Sequence, residues 1–224
     1  MNRRDVLAAG AAMVLATRGA AAQEAWYDIA GDDGRPVENL RIPVEIAVEA
    51  DALPDVIRTG AAQPDVRMVE FFDYNCPYCR AAAGDIEAMI VDQPDLQLVL
   101  VNNPVLSRWS REAALVQIAV VQSHGEDAGF QLHRRLFAAK GKVDGARALA
   151  AAGEMGLATA ELEAAARSDR AGDVLNRHMS LAASMGFAAT PSFLVADAGI
   201  LGYPGPGAMN RIAAAVRQCG AVVC

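Results

Sequence analysis

The stretch VEFFDYNCPYCR, residues 69–80, holds two of the four cysteines in a chain of 224 residues, with two residues between them. Three readings compete: half of a metal site, a structural crosslink, or a reversible dithiol. A structural zinc site takes four Cys or His ligands, usually as two close pairs. The other cysteines, Cys219 and Cys224, have four residues between them and lie about 140 positions away. His124, His133 and His178 are scattered and complete no ligand spacing, so they are expected on surfaces or helix faces. A Cys76–Cys79 crosslink would close a very small loop, and crosslink stabilisation grows with loop length. Spacing alone eliminates neither rival, but the dithiol accounts for more of the surroundings.

Those surroundings are a strand, the CxxC and a helix, in that order. Val66–Phe72 is rich in strand formers and reads as a buried strand. Pro77–Val91 reads as a helix, with Ile86, Met89 and Ile90 at helical spacing and Pro94 beyond. Pro77 suits the first helical position, where its missing N–H costs nothing. Cys76 then stands at the helix N-terminus, where free N–H groups and the dipole favour a thiolate. A thiol of lowered pKa is more ionised and leaves more readily. Cys79 follows nearly one turn on and is the expected resolving thiol. Asp73, Tyr74 and Asn75 read as turn and surface residues.

Leu96–Val101 is a second buried strand, so residues 66–101 form a βαβ unit with parallel strands. From 107 to 186 the pattern is helical: Ser110–Ser123, Glu126–Lys140, Asp144–Met155 and Thr159–Met185, the last broken near Gly172. Ser192–Val195 and Ile200–Tyr203 read as a hairpin about Asp197–Gly199, and Ala208–Gln218 as a closing helix. The fold expected is α/β, with a helical insertion at about 107–186 between βαβ and ββα halves. Upstream, Arg41–Val48 alternates like a half-buried strand and Asp51–Thr59 reads as a short helix before Gly60. Residues 23–60 are thus expected to be an N-terminal extension to a domain spanning 61–224.

Residues 1–22 read as a cleaved export signal: Arg3 and Arg4, an apolar run from Val6 to Thr17, then Ala20-Ala21-Ala22. The run is short of the roughly 20 apolar residues of a membrane span. Arg3-Arg4 makes a partial match to a twin-arginine signal. Export implies a periplasmic or similar oxidising compartment, where disulfides persist. Spacing pairs Cys76 with Cys79 and Cys219 with Cys224, the latter as a structural clasp. Three arginines and one aspartate lie in the signal, leaving 17 basic and 26 acidic side chains and a net charge of −9. That balance argues against a nucleic-acid partner, which needs clustered Lys and Arg.

VEFFDYNCPYCR, followed about 110 residues later by GFAATPSFLV (residues 186–195), resembles the DsbA-like family of thioredoxin-fold thiol:disulfide oxidoreductases. The resemblance covers most of residues 66–218. It implies a thioredoxin-like fold carrying the helical insertion, and a cis peptide between Thr190 and Pro191 beside the dithiol, able to receive an extended client. It implies that Glu70, six residues before Cys76, is a buried acid serving proton transfer to Cys79; the alternative is an edge-strand glutamate facing water. Pro77 and Tyr78 complete the active-site motif, and Tyr78 would tune the stability of the thiolate. Trp109, Met155, Met179 and Met185 are either groove or core residues. No cofactor and no metal are implied, since the two sulfurs carry the electrons. The activity expected is an exported dithiol oxidase acting on reduced or misoxidised clients and reset by a membrane quinone-linked reoxidase. The same parts run as isomerase or reductase according to potential, from about −270 mV in thioredoxin to about −120 mV in DsbA. A peptide- or copper-binding module without turnover is the rival from another class.

Overall fold

The structure is a computed structural model that describes residues 26–224; the expected export signal lies outside the described residues. In chain order the elements are β1 (Asn39–Arg41), α1 (Val44–Ala47) running into a 3-10 turn (Val48–Ala52), β2 (Ile57–Gly60), β3 (Val66–Phe72), α2 (Pro77–Asp92), β4 (Leu96–Asn102), α3 (Arg108–Ala138), α4 (Gly145–Glu154), α5 (Thr159–Ala166), α6 (Asp169–Ser184), β5 (Ser192–Val195), β6 (Ala198–Leu201) and α7 (Pro206–Cys219). One six-stranded sheet has the order β1-β6-β5-β3-β4-β2. β3 and β4 run parallel, as a βαβ unit requires, and the other pairs are antiparallel.

Central strands must bury both faces, which explains why β3 and β4 read as near-continuous apolar runs. Met68 and Phe72 face one way, against Cys79, Ala82, Ile86 and Met89 of α2 and Met209, Ile212 and Ala213 of α7. Val69 and Phe71 face the other way, against Leu181, Ala182 and Met185 of α6 and Ile42, Ala50 and Leu53 upstream. The period-2 alternation of strand side chains thus assigns Glu70 to the α2 face. The insertion, α3 to α6, follows β4 and returns the chain to β5.

Several elements differ from the sequence reading. The strand expected over Arg41–Val48 is confined to Asn39–Arg41, and Val44–Ala52 is helical. Pro43, at φ −55°, occupies the N-cap position and cannot donate to a ladder, so the strand stops there. The helix expected over Asp51–Thr59 is replaced at Ile57–Gly60 by β2, an edge strand antiparallel to β4. Gly60 does have positive φ (91°), but because the strand end approaches β4 closely: a Cβ there would lie 2.3 Å from the Leu96 carbonyl oxygen. Residues 39–60 therefore contribute a strand to each edge of the sheet. In the insertion, α3 is interrupted at Gly125 (φ 85°, ψ 175°), between the two expected helices. The break expected near Gly172 falls earlier, at Arg167–Ser168, because the Ser168 hydroxyl accepts from Ala171 N and starts α6 there. The last hairpin turns on Ala196–Asp197, not Asp197–Gly199.

Candidate active site

β3 delivers the chain to Asp73, and α2 takes it away from Cys76. Between them, Asp73, Tyr74 and Asn75 make the turn expected, but Asp73 and Tyr74 are buried rather than superficial, and the turn is tied down on several sides. Asp73 is buried; its carboxylate accepts from Asn75 N (2.8 Å) and Leu106 N (2.9 Å). Cys76 N donates to the Asp73 carbonyl (3.0 Å). Asn75 donates to Ser110 Oγ and the Val143 carbonyl and accepts from Val143 N (3.0, 2.8 and 2.8 Å). Three distant segments thereby fix the entry to the CxxC.

Cys76 is the N-cap of α2, in an extended conformation, with Pro77 at the first helical position. Its Sγ accepts from the Cys79 backbone N–H at 3.4 Å. As a neutral thiol it donates to the Thr190 carbonyl at 3.0 Å. Its pKa falls to about 6, chiefly through the hydrogen bond from the Cys79 thiol and against the cost of burial. Further lowering comes from Thr190 and from the backbone N–H groups of Cys79 and Tyr78. An ionised sulfur cannot donate to the carbonyl, so the Thr190 hydroxyl, buried and without a partner among the described residues, is the donor that fits the ion. Cys79 is fully buried, and burial pushes its thiol far up, helped by its hydrogen bond to Cys76 and the nearby Glu70 charge. Two chemically identical side chains three residues apart are driven in opposite directions.

Glu70 is 3 % exposed, in the middle of β3 between Leu100 of β4 and Phe193 of β5. It is a central-strand acid, not an edge residue facing water. Burial and then the Cys76 charge raise its pKa to about 8. The Thr190–Pro191 peptide is cis and lies against Cys76. Tyr78 is 70 % exposed. With Thr190, Pro191 and Tyr203 it borders a cleft of about 550 Å³ whose far wall is the loop Gly31–Glu38. That loop is pinned by Asp32, which accepts from Gly207 N (2.7 Å) at the start of α7. The cleft wall was not legible in the sequence; an Asx-rich turn, Gly31-Asp32-Asp33-Gly34, was its only local signal.

The remaining candidates are dispersed. Trp109 is partly exposed, with the Arg108 and Lys142 cations over its ring. Met185 is buried under the sheet, while Met155 and Met179 are half-buried among the inserted helices, so the three do not line the cleft. His133 and His178 are buried rather than superficial, and burial lowers them to about 3 and about 4. His133 Nδ1 meets the Tyr74 hydroxyl at 3.4 Å within a cluster of Phe72, Phe130 and Phe137. The apolar neighbours of His133 at helical spacing were the overlooked signal. Cys219 and Cys224 form a disulfide at the end of α7, anchored by buried Val222. α7 has 14 residues, roughly 20 Å, and its other end adjoins the cleft.

Residues 67–214 match the family model described as DSBA-like thioredoxin domain. A thioredoxin-like oxidoreductase from Silicibacter pomeroyi DSS-3 is 32 % identical, with TM-score 0.69; the match covers 75 % of this chain and 98 % of that one. A periplasmic thioredoxin-like protein from Salmonella enterica serovar Typhimurium is 20 % identical at TM-score 0.69, covering 80 % and 99 %. The thiol-disulfide exchange protein alpha-DsbA2 from Wolbachia pipientis is 20 % identical at TM-score 0.64, covering 74 % and 92 %. Comparison with curated proteins returned no match. With the family model spanning most of the chain and the paired thiols standing where strand gives way to helix, this protein belongs to the DSBA-like thioredoxin domain family of thiol-disulfide oxidoreductases.

Proposed function

We propose that the protein is an exported dithiol oxidase that introduces disulfides into client proteins through Cys76 and Cys79. The observation that carries this is the opposed placement of the two thiols: Cys76 caps α2 and accepts from Cys79 N–H, which goes with a pKa lowered to about 6, while Cys79 is sealed inside and raised by burial. In the oxidised form a client thiolate attacks Cys76 Sγ. The Cys76–Cys79 bond breaks, and Cys79 leaves and takes a proton, for which Glu70 is the candidate donor. A second client thiolate then attacks the client sulfur and expels Cys76 as a thiolate. Two client thiols become one disulfide, and the protein's disulfide becomes a thiolate and a thiol, with one proton released.

The leaving group supports this direction. A sulfur of pKa about 6 is largely ionised at neutral pH, which stabilises the reduced state. Each tenfold stabilisation of the reduced state raises the potential by about 30 mV, favouring oxidation of clients. Thr190 and Pro191 serve as the backbone edge that receives an extended client in the cleft. A quinone-linked membrane reoxidase would restore the disulfide. Export agrees with the basic, then apolar, then small-residue leader. The second reading, isomerase or reductase, keeps the same residues and differs only in potential.

Two assays test this. Oxidised protein should form disulfides in a reduced client, and Cys76→Ser should not; equal rates would overturn the enzymatic reading. Equilibration of the Cys76–Cys79 pair with glutathione should give a potential well above thioredoxin's value of about −270 mV. A value at or below it would replace the oxidase by a reductase.

A further inference from the structure

Charge is distributed unevenly about Cys76. The dithiol stands at the end of β3, with β4 on one side and β5 on the other. On the β4 side, residues 134–147 carry Arg134, Arg135, Lys140, Lys142 and Arg147 against one acid, Asp144, in a chain of formal net charge −7. This segment is held against the cysteine loop by the reciprocal Asn75–Val143 hydrogen bonds. Arg80, next to Cys79, donates to the Phe137 and Ala139 carbonyls. Arg147 reaches back to the Lys140 carbonyl. The Lys142 ammonium lies 4.5 Å from the centre of the Trp109 ring, and the Arg108 guanidinium 5.5 Å from it. Trp109 is exposed, as are Val105 and Leu106 just before Arg108 in the chain.

The acids on this wall do not cancel it. Arg134 is paired with Glu87 of α2 (2.8 Å) and Lys142 with Asp144 (3.0 Å), while Glu112 faces Gly145 N (3.5 Å). Arg108, Lys140 and Arg147 have no carboxylate partner among the described residues. The cleft wall on the β5 side has the opposite character: Asp32, Asp33 and Glu38, with Arg35 its own cation and Arg211 reaching Asp32.

We propose that the wall formed by the end of α3 and the start of α4 selects protein clients that carry acidic residues on one flank of the reacting cysteine. The occupant is a polypeptide because the segment is hydrogen-bonded to Asn75, next in the chain to the sulfur a client thiol must reach, and the exposed Trp109 ring lies against the cations. A client held in one direction at Thr190 can present only one of its flanks to this wall. Opposed charges across a contact steer encounter and fix orientation more than they raise affinity. Charges beyond about 10 Å are screened at 0.1 M salt, so only residues next to the cysteine are read. This inference rests on the exchange activity proposed above.

The test uses two peptides of identical composition, Asp-Asp-Ala-Cys-Ala-Lys-Lys and Lys-Lys-Ala-Cys-Ala-Asp-Asp. Their attack on the oxidised full-length protein is timed by quenched flow. Each rate is divided by that peptide's rate with neutral hydroxyethyl disulfide, which removes differences in thiol acidity. One isomer should react about fivefold faster at low salt. The gap should close at about 0.5 M salt and in the double variant Lys140→Gln with Arg147→Gln. Equal rates for the two isomers, or a gap that survives both salt and substitution, would overturn the proposal while leaving the exchange activity standing. No reaction with either isomer would overturn the exchange activity itself, and the inference with it.

Discussion

Cys76 and Cys79 show what placement does to one functional group. Cys76 caps a helix and collects donors; Cys79, one turn on, is sealed inside. Cys79→Ser should therefore leave the attack on a client disulfide intact and trap Cys76 in a mixed disulfide, read as an added mass under non-reducing conditions. Recovery of free Cys76 at the wild-type rate would contradict it. The same acidity links stability to pH. A thiol whose folded pKa of about 6 lies below its unfolded value releases its proton more readily when folded. Its contribution to the reduced protein is present above the unfolded pKa and is lost as pH falls through about 6. Relative to Cys76→Ser, reduced wild type should gain stability between about pH 6 and about pH 8.5, by up to about 1.4 kcal/mol per unit. Glu70 works in the opposite sense. Its folded pKa of about 8 lies above its unfolded value, so wild type should lose stability against Glu70→Gln as pH rises from about 4.5 to about 8. Urea midpoints across pH measure both. The sequence made Cys76, Pro77, Cys79 and the Thr190-Pro191 pair legible because their signals are local in order and spacing. The turn at Asp73, Tyr74 and Asn75 was legible but its burial was not, because their partners, Leu106 N, His133 and Val143, lie 33 to 68 positions away.

Among the elements, long periodic ones were readable and short ones were not. β3, α2 and β4 match their expected spans within about two residues, because burial on both faces or on a helical stripe leaves a clear pattern. The segment 41–60 failed because alternation over Arg41–Val48 also suits a single helical turn: Ala50 and Leu53 complete an apolar set that packs under the sheet. β2, only four residues long with polar Arg58 and Thr59, acquires its identity from β4 rather than from its own composition. The Gly31–Glu38 loop is likewise made by a remote contact, the Asp32 carboxylate on the first turn of α7. An acid at a helix N-terminus answers both a free N–H and the dipole. Asp32→Ala should lower stability by about 1 kcal/mol and slow exchange with peptides that fill the cleft more than with small thiols. An unchanged urea midpoint would show that the loop is held by other contacts.

Across the whole molecule, the dithiol sits where sheet, α2 and the inserted helices meet, while the second cysteine pair closes the far end of α7. The clasp joins residues five apart. Closing so small a loop restricts the unfolded chain by only about 2 kcal/mol. The pair Cys219→Ser with Cys224→Ser should therefore lower the urea midpoint modestly without reagents that reduce disulfides, and leave client oxidation at the wild-type rate. A loss of turnover would assign the pair a part in electron transfer. The overall architecture was legible because the order βαβ, helices, ββα leaves few ways to cover a sheet. The edge strands contributed by residues 39–60 were not, since only closure of the sheet creates their partners.

Exchange depends on one acidic sulfur, so the most direct measurement is a titration of the reduced protein by ultraviolet thiolate absorbance, with Cys76→Ser as the blank. The structure predicts a midpoint near 6 for Cys76 and no ionisation of Cys79 in the same range. A midpoint at or above the value of about 8.5 for a free cysteine would contradict it.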